Sequence, residues 1–397
     1  MDPDNNQKVD TARKLVDDFL DRTGVTDRGG DVNRRYLWTD SFAVQSCFAL
    51  NHLSENNEYY RHALKLIDQV HFTLGRHRPV DVRTGWISEL SEDEGRDHPV
   101  RNGLRIGKKF PERPESEDYD PGTEWDRDGQ YFHYLTRWFN TLVQAFIESG
   151  ERKYAHQAVE LIKAGGKFIR KDGGRIWMVW KMNVDLTEPV VETMGAHDPL
   201  EGFLCVLTAM NLEPDSRHEL EPLRRDMEAL CRGMNWFTDD PLGIGGLLLN
   251  TVRSSELSRQ NDILPSNIRP SSLFAAGLDG LQIFSDNIYD HLKAPEYRLA
   301  FRECGLTLGF RVLYGLRERL SAFKLNLDRL SHYLALADEI ENFWNKDRSR
   351  QSLTWTDHQD INAVTLASSI LARYHPQAFS SGISIDSEDQ DSVKDTK

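Results

Sequence analysis

Residues 125–142 bring together side chains that could perform acid-base chemistry on a ligand. Asp126 and Asp128 supply two carboxylates, His133 supplies an imidazole, and Trp125 and Tyr131 supply aromatic rings. The residues that follow are apolar at helical spacing on two faces, which is typical of a helix buried among other helices. The sequence therefore predicts a polar site at the mouth of a buried helix.

Glycoside hydrolysis is the first reaction that this stretch predicts. It needs one protonated carboxyl group beside the leaving oxygen and a second carboxylate that activates water or attacks carbon. Asp40 and Asp128, which each begin an apolar helix, are the predicted acid and base. Either aspartate would also serve as a helix cap, because its side chain accepts a hydrogen bond from a free backbone N–H group. The sequence leaves both roles open.

Two other helix starts have a tryptophan followed by acids. Trp38 precedes Asp40, and Trp355 precedes Asp357 and Asp360. Each start has two interpretations: a carboxylate that faces a ligand, or a cap with the tryptophan packed behind it. Repetition of the pattern favours a site built from several helix mouths.

His197 and Asp198 begin another apolar helix. Asp198, Pro199 and Glu201 form a favourable helix start, with aspartate as the cap, proline in the first turn and glutamate at the third position. Asp198 is therefore a catalytic candidate with a strong structural alternative. His197 is not needed for the cap, and it is a candidate for binding the substrate.

His133 and His358, at two different helix mouths, point to a second enzyme reaction. A sugar 2-epimerase moves a proton at carbon 2 with groups whose pKa lies near neutrality, and imidazole meets that need. A histidine in an aromatic helix is also commonly a hydrogen-bonded core residue, so this alternative stays open.

Arginines are the predicted binders of an acidic sugar, because a guanidinium donates two parallel hydrogen bonds to a carboxylate. The candidates are Arg35, Arg127, Arg137 and Arg175. Arg127 lies within the polar head of the helix and is favoured, whereas structural pairing is favoured for the other three.

The composition limits the ligand class and the cellular location. A net charge of −14 over 397 residues argues against nucleic acid and anionic membranes as partners, since both require basic patches. The sequence has no apolar run of about 18 residues and no signal peptide, so a cytoplasmic protein is expected. The four cysteines lack metal-ligand spacing, and we expect buried thiols, no metal and no cofactor. A homodimer is left open.

Apolar periodicity predicts eleven helices, which alternate between one apolar face and apolar character nearly all round. Residues 76–124 and 239–271 are rich in proline or glycine and are expected to be long insertions. Within the first insertion, residues 85–90 and 103–106 are expected to pair as a hairpin. Residues 174–186 are rich in branched and aromatic side chains and are expected to be β-structure.

Alternating outer and inner helices are expected to close into a ring. Polar residues at the starts of apolar helices recur along the chain at Asp40, Asp128, Asp198 and Asp360. Their irregular spacing corresponds to the length of a helix hairpin with loops inserted. A single hairpin of this kind cannot bury its apolar face alone. The prediction is an all-α (α/α)6 toroid over residues 8–378, with short β-hairpin insertions at the funnel mouth and a disordered acidic tail at 380–397. An open α-solenoid is the alternative, but its repeats are usually shorter and more regular.

The pattern resembles the six-hairpin glycosidase-like superfamily, which includes unsaturated glucuronyl hydrolases and, among related toroids, N-acylglucosamine 2-epimerases. The likeness is carried by residues 35–40, 125–138, 197–202 and 355–362. It implies a small carbohydrate or sugar acid bound in the funnel, stacked on aromatic rings and acted on by carboxylates or histidines.

Three functions are therefore considered, in order of preference. They are a glycoside hydrolase-type enzyme acting on a sugar or uronide, a cofactor-free sugar 2-epimerase or isomerase that uses histidines, and a non-catalytic ring that binds a ligand or partner. Perturbed carboxylate pKa values would favour an enzyme over the binding ring. The predicted catalytic residues are Asp40, Asp128, His133 and Asp198, and the predicted substrate-binding residues are Arg35, Trp38, Trp125, Arg127, Tyr131, His197, His358 and Asp360.

Overall fold

The computed structural model describes residues 3–114, 117–260, 264–287 and 293–381. Within these ranges, twelve principal helices alternate between outer and inner positions, beginning with an outer helix. The outer helices are α1 (Pro3–Arg22), α3 (Glu58–Leu74), α5 (Arg152–Gly165), α7 (Arg217–Cys231), α9 (Pro270–Asp286) and α11 (Leu334–Trp344). The inner helices are α2 (Leu37–His52), α4 (Phe132–Ser149), α6 (Asp198–Leu212), α8 (Pro241–Arg259), α10 (Ala300–Gly315) and α12 (Gln359–Ala372).

The inner helices form a closed ring. Each one packs against the next inner helix along the chain, and α12 returns to pack against α2. Hydroxyl pairs bridge three of the seams: Ser41 with Thr141 at 2.6 Å, Ser46 with Ser368 at 2.9 Å and Thr307 with Ser369 at 2.6 Å between oxygens. Outer helices cover the ring with one apolar face each, which buries the inner helices on all sides. The predicted (α/α)6 toroid is confirmed.

The interpretation of residues 239–271 as a loop-rich insertion is wrong, because inner helix α8 occupies most of this segment. Its glycines permit close packing rather than a turn. A Cβ atom on Gly245 would lie 2.2 Å from the carbonyl oxygen of Gly305 in α10, and one on Gly309 would lie 2.2 Å from the carbonyl oxygen of Gly245. The backbones of α8 and α10 therefore touch along this seam, and only glycine leaves room for the contact.

The hairpin predicted at residues 85–90 and 103–106 is absent from the described structure, because residues 85–87 pair with residues 75–77 after α3, and Ile106 bonds near two helix starts. The N–H group of Ile106 donates to the carbonyl of Gly129 just before α4, and the N–H group of Leu37 at the start of α2 donates to the carbonyl of Ile106. The insertion thus ties two inner helices together.

Two small antiparallel sheets lie in the loops of the described chain. Part of the β-structure predicted for residues 174–186 is present in them. One sheet contains strands Gln130–Tyr131, Lys181–Met182 and Pro189–Val191, and the other pairs Ile169–Asp172 with Arg175–Met178.

Short helical segments complete the connections. The α-helical segments are Glu92–Asp97, Pro121–Glu124, Arg317–Leu320, Asp328–Ser331, Asp347–Arg350, Leu353–Thr356 and Gln377–Ser380, and the 3-10 segments are Gly166–Phe168, Pro214–Ser216, Ser266–Ile268, Pro295–Tyr297 and Ser321–Phe323. Of the predicted tail, residues 382–397 lie outside the described residues. In the part of the chain that is described, no helix is long and apolar enough to cross a membrane.

Replacing Gly245 by alanine tests the glycine seam. We expect Gly245→Ala to lower the free energy of unfolding by about 3 kcal/mol, because the new methyl group forces α8 and α10 apart. Gly246→Ala is the matched control, since a Cβ there meets only the Glu201 carboxylate at 4.0 Å. Urea denaturation followed by circular dichroism measures both. Equal stability of the two variants would contradict the close packing.

Candidate functional site

A cavity of about 1270 Å³ opens at the N-terminal ends of the inner helices. Its walls come from the starts of α2, α4, α10 and α12, from the end of outer helix α3, and from residues 76–80 and 105–109 of the long insertion. The N-terminus of a helix carries partial positive charge. Several such ends around one cavity favour an anionic or strongly polar ligand.

Four aromatic rings form one wall of the cavity. The hydroxyl oxygens of Tyr36 and Tyr134 lie 2.7 Å apart. The ring of Trp38 stacks on Tyr134 with 6.2 Å between centroids and meets the edge of Phe301 at 6.1 Å. Ligand sites commonly combine such rings with a few polar groups that fix orientation. Of these rings, the sequence predicted Trp38 as a binding residue.

Asp40 lies in the first turn of α2, is buried, and lines the cavity. Arg35 Nη1 donates to its carboxylate at 3.3 Å, and the backbone N–H group of Tyr36 donates at 3.0 Å. Burial raises the pKa of Asp40 to about 6, although the charge of Arg35 opposes this rise. Asp40 and Arg35 therefore form a buried ion pair at the cavity wall, and Asp40 can hold a proton at mildly acidic pH.

Asp128 lies behind the wall rather than on it, and its side chain is fully buried. Its carboxylate accepts hydrogen bonds from Arg78 Nε at 2.9 Å, Arg105 Nη1 at 2.5 Å and the N–H group of Gly107 at 3.0 Å. Both arginines line the cavity. Asp128 thus holds two guanidinium groups in place, and this geometry favours an anchoring role over contact with a substrate.

The start of α12 places His358, Asp357 and Asp360 at the cavity. The exposed ring of His358 lies 6.1 Å from the ring of Phe301. Asp360 pairs with Arg22 at 3.0 Å and with Arg34 at 2.5 Å, so it ties α12 to the end of α1. Asp357 is exposed. Of the three, His358 and Asp357 present their side chains to solvent beside the aromatic wall.

Sequence analysis missed His77 and Lys108, which also line the cavity. Burial, reinforced by Arg83, lowers the pKa of His77, and its Nδ1 atom has no hydrogen-bond partner within the described structure. Burial lowers the pKa of Lys108, whose Nζ atom lies 5.6 Å from the ring centroid of Tyr36. The basic side chains at 76–78 and 108–109, in an otherwise acidic chain, could have indicated a binding site. The sequence pattern was interpreted only as an insertion.

Four of the predicted site residues form a separate group that does not line the cavity. Trp125, Tyr131 and His133 pack around Trp180, and Trp180 Nε1 donates to His133 Nδ1 at 3.1 Å. Burial lowers the pKa of His133 to about 3, so this imidazole stays neutral. Arg127 forms an ion pair with Glu117. The geometry favours structural roles for these residues.

His197 and Asp198 secure the start of α6, away from the cavity lining. His197 Nε2 lies 2.9 Å from the carbonyl oxygen of Trp236, and the N–H group of Gly195 donates to the Asp198 carboxylate at 3.2 Å. Burial, with a smaller contribution from Glu201, raises the pKa of Asp198 to about 7. Asp198 is the first residue of α6 and makes no capping hydrogen bond to the helix, so the cap that the sequence offered as its structural alternative does not form, and its carboxylate bonds instead to an N–H group that precedes the helix.

One group of metal-ligating side chains is found among the described residues, near the C-terminal ends of α2, α4 and α12. His52, Glu148 and His375 place one ligand atom each within 4.8 Å of the others. His52 Nε2 lies 2.7 Å from Glu148 Oε2, and this hydrogen bond raises the pKa of His52. An ion pair accounts for the contact, and the group lies at the opposite end of the inner helices from the cavity.

Comparison with known proteins finds similarity in structure but not in sequence. No family model and no curated protein matches this chain. A cellobiose 2-epimerase from Spirochaeta thermophila is among the similar solved structures, with 12% sequence identity, 86% of each chain covered and a TM-score of 0.48. The function of this chain is therefore inferred from its own residues.

Replacing Asp128 by asparagine tests the anchoring role. We expect Asp128→Asn to lower the free energy of unfolding by about 3–5 kcal/mol, because it leaves the buried Arg105 without its counter-charge. Asp126→Asn is the matched control, since Asp126 is exposed. Chemical denaturation gives both values. Full stability of Asp128→Asn would remove the anchoring role and return this carboxylate to the candidates for catalysis.

Proposed function

We propose that this protein is a cofactor-free sugar isomerase or 2-epimerase that acts on a sugar acid. The observation that supports the proposal is the lining of the cavity, which contains two histidines, His358 and His77, together with cationic and aromatic side chains. The two carboxylates expected for hydrolysis, Asp40 and Asp128, are not presented together, because Asp128 is saturated by arginines. This arrangement supports proton transfer better than glycosidic cleavage.

Isomerisation needs a base that removes the proton from the carbon beside the carbonyl of the open-chain sugar. The resulting enediolate regains a proton on the opposite face to give the 2-epimer, or on the neighbouring carbon to give the ketose. Imidazoles suit both steps because they gain and lose protons near neutral pH. His358 is exposed at the cavity, whereas the side chain of His77 is buried, with Nε2 3.8 Å from Asp185 Oδ1 and with no hydrogen-bond partner for Nδ1 among the described residues.

An acidic substrate is supported by the charge of the walls. In a chain of net charge −14, the described cavity lining contains seven arginines and lysines but three aspartates. Most of these arginines are already paired with carboxylates, as Arg35 is with Asp40. Lys108 contacts tyrosine rings rather than a carboxylate among the described residues. Lys108 is therefore the cation that we assign to the carboxylate of the sugar acid.

Glycoside hydrolysis is the second candidate, and one observation favours it. Asp40, with a pKa raised to about 6 by burial, can donate a proton, and Asp357 lines the same cavity with an exposed carboxylate. Together they would supply the acid and the second carboxylate that this reaction requires.

The first experiment is incubation with free sugars, uronates, N-acyl sugars, oligosaccharides and unsaturated uronides in heavy water, followed by mass spectrometry. We expect a sugar acid that is the 2-epimer or the ketose isomer of an intact uronate, resolved from it by chromatography, with one solvent deuterium on carbon. His358→Gln is expected to slow the exchange by about 10²–10⁴-fold, the range that general acid-base groups contribute. His197→Gln is the control, because this residue bonds outside the cavity.

Other outcomes separate the alternatives. Cleavage products that disappear in Asp40→Asn would reject isomerisation and establish hydrolysis. Unlabelled, unchanged sugars throughout the panel would reject both reactions and leave the non-catalytic binding ring.

Replacing Lys108 by methionine tests the sugar-acid assignment. We expect Lys108→Met to raise KM for a uronate about 10-fold or more with a smaller change in kcat, since a hydrogen bond to a charged group contributes about 1.5–3 kcal/mol. Lys109→Met is the matched control, because Lys109 lines the same cavity but is exposed and lies over Phe110. Steady-state kinetics on a uronate and on the matching neutral sugar measure the effect. An equal loss on both sugars would contradict recognition of the carboxylate.

A further inference from the structure

The inner helices carry a second group of polar side chains, separate from those that line the cavity. Arg137 Nη2 donates to Gln45 Oε1 at 3.2 Å, which links α4 to α2. Arg253 Nη1 donates to Asn250 Oδ1 at 3.0 Å within α8. Gln45 and Asn250 are fully buried, and Arg253 is 7% exposed. The amide oxygens of Gln45 and Asn250 thus accept hydrogen bonds from the arginines, whereas amide and guanidinium N–H groups of the same residues have no acceptor.

Five buried nitrogen atoms in this group have no hydrogen-bond partner among the described residues. They are Gln45 Nε2, Arg137 Nε, Asn250 Nδ2, and Nε and Nη2 of Arg253. A buried donor without a partner costs about 1–3 kcal/mol, and more when it is charged. Five of them in one group of side chains, all of them donors, indicate a missing acceptor.

The charges of the group do not cancel. Burial, reinforced by the charge of Arg253 and opposed by Glu201, lowers the pKa of Arg137 to about 9. Arg253 lies two turns after Gly246 on the same face of α8, and the Glu201 carboxylate lies 4.0 Å from the position of a Cβ atom on Gly246, so this face of α8 is directed towards the same carboxylate as α4. Glu201 accepts a hydrogen bond from Thr136 at 2.9 Å and supplies one negative charge. The two guanidinium groups and the one carboxylate together carry a net charge of one positive unit.

We propose that the lumen of the ring binds one small monovalent inorganic anion, such as chloride, between the guanidinium groups of Arg137 and Arg253. The anion accepts hydrogen bonds from the unpartnered N–H donors and cancels the excess charge, which would otherwise be costly beside these buried atoms.

The position of the group argues for an inorganic anion rather than the sugar acid. The guanidinium of Arg137 lies 3.9 Å from the ring centroid of Phe42, and Phe42 packs against Trp38 with 4.8 Å between ring centroids. Trp38 belongs to the wall of the cavity, whereas Gln45, Arg137 and Arg253 do not line it. Phe42 and Trp38 therefore lie between Arg137 and the cavity of the proposed sugar site. This inference goes beyond the proposed function and does not depend on it.

Thermal unfolding of the full chain tests the site. Chloride, bromide or nitrate replaces isethionate, a bulkier anion that is not a sugar acid, at constant ionic strength, so that general screening stays fixed. The measurement is made at pH 6, because burial raises the pKa of Asp198, the acid neighbouring Glu201, to about 7 and keeps it mainly neutral there. We expect a saturable rise in Tm on the order of 3 °C with each small anion, as linkage predicts for a ligand of the folded state.

Charge variants make the expected result specific. Arg253→Met removes the excess charge and should abolish the dependence on chloride, whereas Glu201→Gln adds to the excess and should shift saturation to about 10-fold lower chloride. Arg175→Met is the control, because Arg175 is exposed on a strand. A rise in Tm that persists unchanged in Arg253→Met would overturn the proposal.

A direct measurement covers the case in which Arg253→Met does not fold. Crystals of the wild-type protein grown in bromide should show anomalous scattering between Arg137 and Arg253. Only water at that position would reject the anion site.

Discussion

Burial of the inner helices on every side is the constraint on which the structure depends. A helix that is apolar nearly all round is stable only when other helices cover all its faces, and the ring of six inner helices within the outer layer provides that cover. Because each inner helix follows an outer one, the chain crosses the ring in the same sense each time. The starts of α2, α4, α10 and α12 consequently meet around one cavity, and their partial positive charges act together.

The cost of buried charge explains the placement of the acidic residues. Asp128 is fully buried, and Arg78 and Arg105 both pair with its carboxyl group. Asp40 is equally buried but has only Arg35 as a charged partner, so burial dominates and its pKa rises to about 6. Two aspartates that look alike in sequence therefore differ chemically. The number of cationic partners decides which one anchors the insertion and which one can hold a proton.

Local charge and total charge have opposite signs in this protein. The chain carries a net charge of −14, yet the cavity wall contains arginines and lysines from the segment before α2 and from the insertion after α3. The potential that a ligand meets depends on the nearest groups, because charges farther than about 8–10 Å are screened at moderate salt. An acidic protein can thus present a cationic site, with Lys108 as the cation that contacts rings rather than a carboxylate.

The sequence by itself determined the helical class and the ring, because all-round apolar periodicity leaves few other ways to bury the inner helices. It also located Arg35, Trp38, Asp40, His358 and Asp360 at helix starts, all of which reach the cavity. Only the tertiary structure decided which acids meet arginines, since Asp128 and Arg78 are fifty residues apart and are joined by the insertion. It also decided that the glycines near Gly245 form a helix seam, because a glycine chosen for close packing cannot be told locally from one chosen for a turn.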